Sequence, residues 1–149
     1  MHYALYLIGR RYYSEKELRD KLKRRTENLE ELEKIIARLK EMKLLDDLKY
    51  ASAYVRSELS RAPQGFKSIK YRLLKKGFKP HDIEITLAGS QIDEVQLARE
   101  ALSKKAKSLK KTDNTKYTQK LYRFLLSRGF TPGASINAIE NHTGQEKLI

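Results

Sequence analysis

A four-residue signature occurs twice in this chain, 52 residues apart: Gly77-Phe78-Lys79-Pro80 and Gly129-Phe130-Thr131-Pro132. Each copy follows the same apolar pair at the same offset, Ile69 and Leu73 before the first and Leu121 and Leu125 before the second. A degenerate third copy stands near the start. There Leu18 and Leu22 lead into Arg24-Arg25-Thr26, with no glycine. A period of this length marks one supersecondary unit used several times. In both intact copies the glycine predicts the end of one helix, because it can adopt positive φ. The proline predicts the start of the next, where its missing N–H costs nothing. Phe78 and Phe130 fall between and are expected to plug the corner.

Helical spacing fills the rest of the chain. Ser14-x-x-Glu17 is a capping-box pattern ahead of Leu18 and Leu22. Asn28-x-x-Glu31 precedes Leu29, Leu32, Ile35, Ile36, Leu39 and Met42, which step by three and four along one face. Asp47 is the expected N-cap of a helix carrying Leu48, Ala51, Val55 and Leu59. Ser90 with Asp93 opens a helix carrying Ile92, Val95, Ala98, Leu102 and Leu109. No segment alternates like a strand. The expectation is an all-α fold of about nine short helices in three tandem three-helix repeats. They span 2–45, 46–90 and 91–142, with a frayed tail at 143–149. The repeats are expected to form an elongated, curved array in which each touches only its neighbours.

The net charge is +13, and it is spread along the chain. Residues 1–46 contribute +3, and residues 47–92 and 93–149 contribute +5 each. Such a field favours a polyanionic partner. There are no cysteines, which excludes disulfides and thiolate metal sites. The three histidines share no ligand spacing, and neither a phosphate-binding glycine loop nor a nucleophile pattern is present. The expectation is a non-enzyme without cofactor or metal, cytoplasmic, away from membranes, and monomeric. The acidic doublets Asp46-Asp47 and Asp93-Glu94 read as helix starts.

Helix-turn-helix DNA readers place cations on their last helix, to reach base edges. Here residues 80–88 and 132–142 contain no Lys or Arg. The cations sit on the second helices instead: Lys67, Lys70, Lys75 and Lys76, then Lys116, Lys120 and Arg123. A further cluster, Lys104, Lys107 and Lys111 among them, closes the helix that opens repeat three. Cations repeated along an array suit a phosphate backbone or a long acidic assembly better than base readout.

Three segments carry a family resemblance. They are Arg11-Tyr12-Tyr13-Ser14-x-x-Glu17-Leu18-x-x-x-Leu22; Leu44-Leu45-Asp46-Asp47-x-x-Tyr50-Ala51-x-x-Tyr54-Val55-Arg56; and Gly65-x-x-x-Ile69-x-x-x-Leu73-x-x-Lys76-Gly77-Phe78. In order and spacing they resemble the RecX family of bacterial regulatory proteins over about two-thirds of the chain. The resemblance makes Leu45, Asp46, Asp47, Tyr50, Ala51, Tyr54, Gly65, Gly77, Phe78, Gly129 and Phe130 structural motif positions. It implies tandem three-helix repeats that bind RecA and the RecA–single-stranded DNA filament and restrain its ATPase, coprotease and strand-exchange activities. DNA phosphates would be auxiliary contacts. The chain is expected to begin almost at its first helix, without the longer leader of many members. The turn Arg61-Ala62-Pro63-Gln64 is less basic than the resemblance implies. The alternative is a stand-alone nucleic-acid-binding protein without sequence preference.

Overall fold

The computed structural model describes residues 1–109 and 113–146. Among these every regular element is helical: α1 (His2–Arg10), α2 (Glu15–Lys23), α3 (Leu29–Glu41), α4 (Asp47–Arg61), α5 (Phe66–Lys75), α6 (Pro80–Gly89), α7 (Glu94–Ala106), α8 (Asn114–Ser127) and α9 (Pro132–Glu146). Helices α1–α3, α4–α6 and α7–α9 are the three expected sets. The tail boundary at 142 is corrected, since α9 continues to Glu146. Residues 147–149 lie outside the described residues.

The repeated tetrads build the same turn twice. Gly77 has φ 84° and Gly129 has φ 83°. The Gly77 N–H donates to the Leu74 carbonyl and the Phe78 N–H to that of Leu73, at 2.9 and 3.2 Å. Gly129 and Phe130 bond Leu126 and Leu125 likewise, at 3.0 and 3.1 Å. This paired pattern satisfies two carbonyls in the last turn of each of α5 and α8, and only a residue at ease with positive φ closes it without strain. Phe78 and Leu73 are buried, as are Phe130 and Leu125. Pro80 and Pro132 open α6 and α9. In the degenerate copy, Arg25 and Thr26 both donate to the Leu22 carbonyl, and neither has positive φ.

Two compact units form, and they do not coincide with the helix sets. One holds Met1–Tyr54 and Arg72–Ser90; the other holds Val55–Tyr71 and the described residues from Gln91 onward. Helices α4 and α5 are each divided, one end serving each unit. The first core gathers Ala4, Leu7, Leu18, Leu22, Leu32, Ile36, Leu39 and Leu45. The second gathers Ala98, Ala101, Leu102, Tyr117, Leu121, Leu125, Phe130, Ala138 and Ile139. Three apolar positions expected on buried faces are instead exposed, Leu29, Met42 and Leu48. Leu29 and Met42 fall at the two ends of α3, and Leu48 in the first turn of α4. At a helix end the apolar stripe runs past the neighbour it packs on.

Within each unit, one helix set is locked to the next by the same chemistry. In the first unit the Ser14 hydroxyl donates to the Lys76 carbonyl at 2.6 Å, and the Asp47 carboxylate accepts the Glu15 N–H at 2.8 Å. In the second, the Gly65 N–H donates to the Arg128 carbonyl at 3.0 Å and the Lys67 N–H to that of Gly129 at 3.1 Å. There Glu94 accepts the Phe66 N–H at 3.0 Å. So the start of α2 rests on the turn after α5, and the start of α5 on the turn after α8. Each N-terminus takes a carboxylate from the opening helix of the following set. A helix start leaves N–H groups that need such partners.

This corrects the reading of the acidic doublets. The N-cap of α4 is Asp46, whose carboxylate accepts the Lys49 N–H at 3.0 Å. The N-cap of α7 is Asp93, which accepts that of Gln96 at 3.0 Å. The second acid of each doublet, Asp47 or Glu94, reaches away from its own helix to cap another. Ser90 ends α6 rather than opening α7.

Candidate interaction surface

The cations proposed from sequence separate into engaged and outward groups. Lys76 is engaged. Its ammonium lies 5.2 Å from the Tyr54 ring centre, 5.7 Å from that of Tyr50 and 3.5 Å from the Glu17 carboxylate. Burial alone would lower its pKa, but the Tyr50 hydroxyl and the Glu17 charge outweigh burial and raise it. Tyr50 is itself the centre of an aromatic cluster, stacked on Tyr12 at 5.5 Å and edge-on to Phe78 at 5.2 Å. The motif residues Tyr50, Tyr54, Phe78 and Lys76 therefore form one packing group, and the buried Ala51 keeps α4 close beside it.

Cations of α2 and α3 are also committed internally. Arg19 joins Glu15 at 2.9 Å and pairs with Glu33, and Lys40 pairs with Glu15. Burial would raise the Glu15 carboxyl, yet Lys40 and Arg19 hold it below its usual range. The reverse holds at Asp47. Burial pushes its carboxyl up, the Glu15 N–H offsets this in part, and the Glu15 and Asp82 charges add to the rise. Asp47 lines a cleft of about 310 Å³ with Glu15, Lys40, Lys43, Leu45, Asp46, Leu48, Lys79 and Asp82. The cleft sets four acids against three lysines, and among the described residues no cluster has the make-up of a metal site.

The outward group lies mostly in the second unit. Lys116, Lys120 and Arg123 are exposed and step by four and three along α8. Lys104 is exposed in the last turn of α7, and Lys107 is the exposed C-cap residue of that helix. Lys105, between them, lies over the Phe124 ring at 5.4 Å. Among the described residues no carboxylate lies within ion-pairing distance of Lys104, Lys107, Lys116, Lys120 or Arg123. Lys67 and Lys70 are exposed on the part of α5 in the second unit, and Lys75 on the part in the first. Lys111 lies outside the described residues. Glu94 carried no sequence expectation beyond a helix start, although its place in a doublet matching Asp46-Asp47 was the available signal.

The relatives of the chain agree with this architecture. Residues 1–39 match the family description "RecX, first three-helix domain", and residues 92–135 match "RecX, third three-helix domain". A regulatory protein RecX from Clostridium perfringens is 36% identical over 148 residues, covering 97% of this chain and 69% of that protein. The chain belongs to the RecX family. A second RecX-family member, the regulatory protein RecX of Mannheimia succiniciproducens, is 31% identical over 145 residues and 94% covered. The crystal structure of RecX from Lactobacillus salivarius superposes with a TM-score of 0.88 at 26% identity, covering 94% of this chain and 92% of that one. The RecX family thus supplies a regulatory role and the three-helix repeats. Among the described residues no helix is long and apolar enough to cross a membrane.

Proposed function

We propose that this RecX-family chain binds RecA and the RecA–single-stranded DNA filament, and that it lowers ATPase, coprotease and strand-exchange activity by occupancy, without catalysis of its own. Membership in a family of regulatory proteins carries the reading. The α8 stripe of Lys116, Lys120 and Arg123 supports a working surface on the second helices, because cations without internal carboxylates keep their full attraction for an outside anion. Lys67, Lys70 and Lys75, exposed on α5, are further candidate contacts on the preceding set. Several modest contacts on one chain gain strength by linkage rather than through a single tight site.

The test is inhibition of RecA strand exchange by Lys116→Glu/Lys120→Glu, by Lys70→Glu/Lys75→Glu and by the four changes together, each checked for parental helicity. Each pair is expected to weaken inhibition and the fourfold variant to weaken it most. Undiminished inhibition by all three would move the contact to another surface. A stand-alone nucleic-acid binder would behave differently: its DNA affinity would fall steeply with salt, and RecA would not change it.

A further inference from the structure

The first helix carries a second surface of different chemistry. Residues 1–14 contain no Asp or Glu. One face of α1 buries Ala4 and Leu7 in the core, while Met1, Leu5 and Tyr6 are exposed. Tyr3, Tyr6 and Arg10 step by three and four along one face. Their side chains cluster, with Tyr3 against one face of the Tyr6 ring and Arg10 at its hydroxyl edge. The Arg25 guanidinium lies 4.2 Å from the Tyr3 ring centre, the Tyr3 and Tyr6 rings stack at 6.5 Å with 19° between planes, and Arg10 lies 5.6 Å from the Tyr6 ring. Arg10 also donates to the Tyr6 hydroxyl at 2.6 Å. Just beyond the helix, Tyr12 stacks on Tyr50 with one face and is 62% exposed. Tyr6 is 55% exposed.

We infer that this face is a stacking platform for single-stranded nucleic acid. Exposed rings accept the flat face of an unpaired base, which a duplex hides. A guanidinium beside a ring keeps N–H groups for phosphate oxygens. Neither Arg10 nor Arg25 has a carboxylate partner among the described residues, so both retain their charge for such an oxygen. An acidic protein surface would satisfy these cations but would leave the rings without a role. The platform extends the proposed action on RecA–DNA filaments to the DNA itself, and it is tested without RecA so that either reading can fail alone.

The probe is a fluorescein-labelled oligothymidylate, its binding followed by anisotropy across a salt series. Tyr6→Leu/Tyr12→Leu, which keeps apolar bulk but removes both rings, is expected to lose about five-fold or more in affinity at unchanged salt slope. Tyr6→Phe/Tyr12→Phe should bind as the parent does. Arg10→Gln/Arg25→Gln should reduce the slope itself, since phosphate contacts set it. As an independent readout, photocrosslinking to 5-iodouracil in the strand should label residues between Tyr3 and Tyr13. Parental affinity in the leucine pair, or crosslinks confined to α8, overturns the platform. A leucine pair that binds the oligonucleotide normally but loses RecA filaments also overturns it, and makes the face a protein contact.

Discussion

Gly65→Ala is the sharpest test of how one helix set holds the next. A Cβ at Gly65 would lie 2.1 Å from the Gly129 carbonyl oxygen and 2.1 Å from the Phe130 nitrogen. Both are backbone atoms, so no side chain can swing aside. The two segments must part by more than about 1 Å to restore ordinary contact. That movement stretches the Gly65–Arg128 bond from 3.0 Å and the Lys67–Gly129 bond from 3.1 Å beyond hydrogen-bonding range. Two lost bonds at about 1 kcal/mol each, with the strain of overpacking, give an expected loss of roughly 2–4 kcal/mol. The φ of Gly65 is not positive, so none of this comes from backbone conformation. Urea denaturation followed by circular dichroism measures it, against a control at Gly9. There a Cβ meets nothing within 4 Å, and Gly9→Ala should stabilise by up to about 1 kcal/mol. A Gly65→Ala protein within about 0.5 kcal/mol of the parent, the usual span of surface changes, would refute the close-approach argument.

Three further outcomes follow from the geometry. Gly77→Ala should cost about 1–2 kcal/mol, from positive φ and the Lys16 side chain lying against the glycine, as read by the urea midpoint. Because the folded-state pKa of Asp47 is raised, its contribution to stability is greatest below the ordinary carboxylate range and is lost as pH rises through the folded value. Asp47→Asn should therefore equal or exceed the parent at pH 7, with the advantage vanishing in acid, whereas Asp47→Ala should lose about 1 kcal/mol with the Glu15 cap; paired melts from pH 3 to 8 decide it. Lys76→Gln should cost about 1 kcal/mol of stability through the tyrosine rings yet inhibit strand exchange as the parent does, which a titration of the folded variant into the reaction would show.

The turns were the most legible part of this fold, because Gly77 and Gly129 answer a local backbone demand that residue type alone announces. The Ser14 capping box was legible for the same reason: its partners lie three residues apart, with the Ser14 N–H donating to Glu17 and the Glu17 N–H to Ser14. What sequence could not supply were partners far along the chain. An acid at the first position of a helix ordinarily serves its own helix, so nothing local says that Asp47 serves Glu15 or that Glu94 serves Phe66. The role of Gly65 was hidden likewise, since the backbone it approaches is 64 residues away. Of the basic candidates, Lys76 is indistinguishable from Lys75 in sequence. Only the aromatic cluster around Tyr50 separates them.

The contact that links successive helix sets has two halves, and the chain distributes them unequally. A receiving half needs the glycine turn and the acidic doublet; α4–α6 and α7–α9 have both, while α1–α3 has neither. An inserting half needs a small residue where the second helix begins, and Ser14 and Gly65 provide it. The position of α8 matching Gly65 is Tyr117, large and buried, and α8 begins three residues ahead of it. Only the middle set carries both halves. Duplicating α4–α6 in tandem would bring a Gly65 to a Gly77 turn and an Asp47 to a Phe66 N–H, a junction assembled from parts already compatible. The length of such a protein is thus open to change at its centre. Among the described residues, α1–α3 carries only the inserting half and α7–α9 only the receiving half.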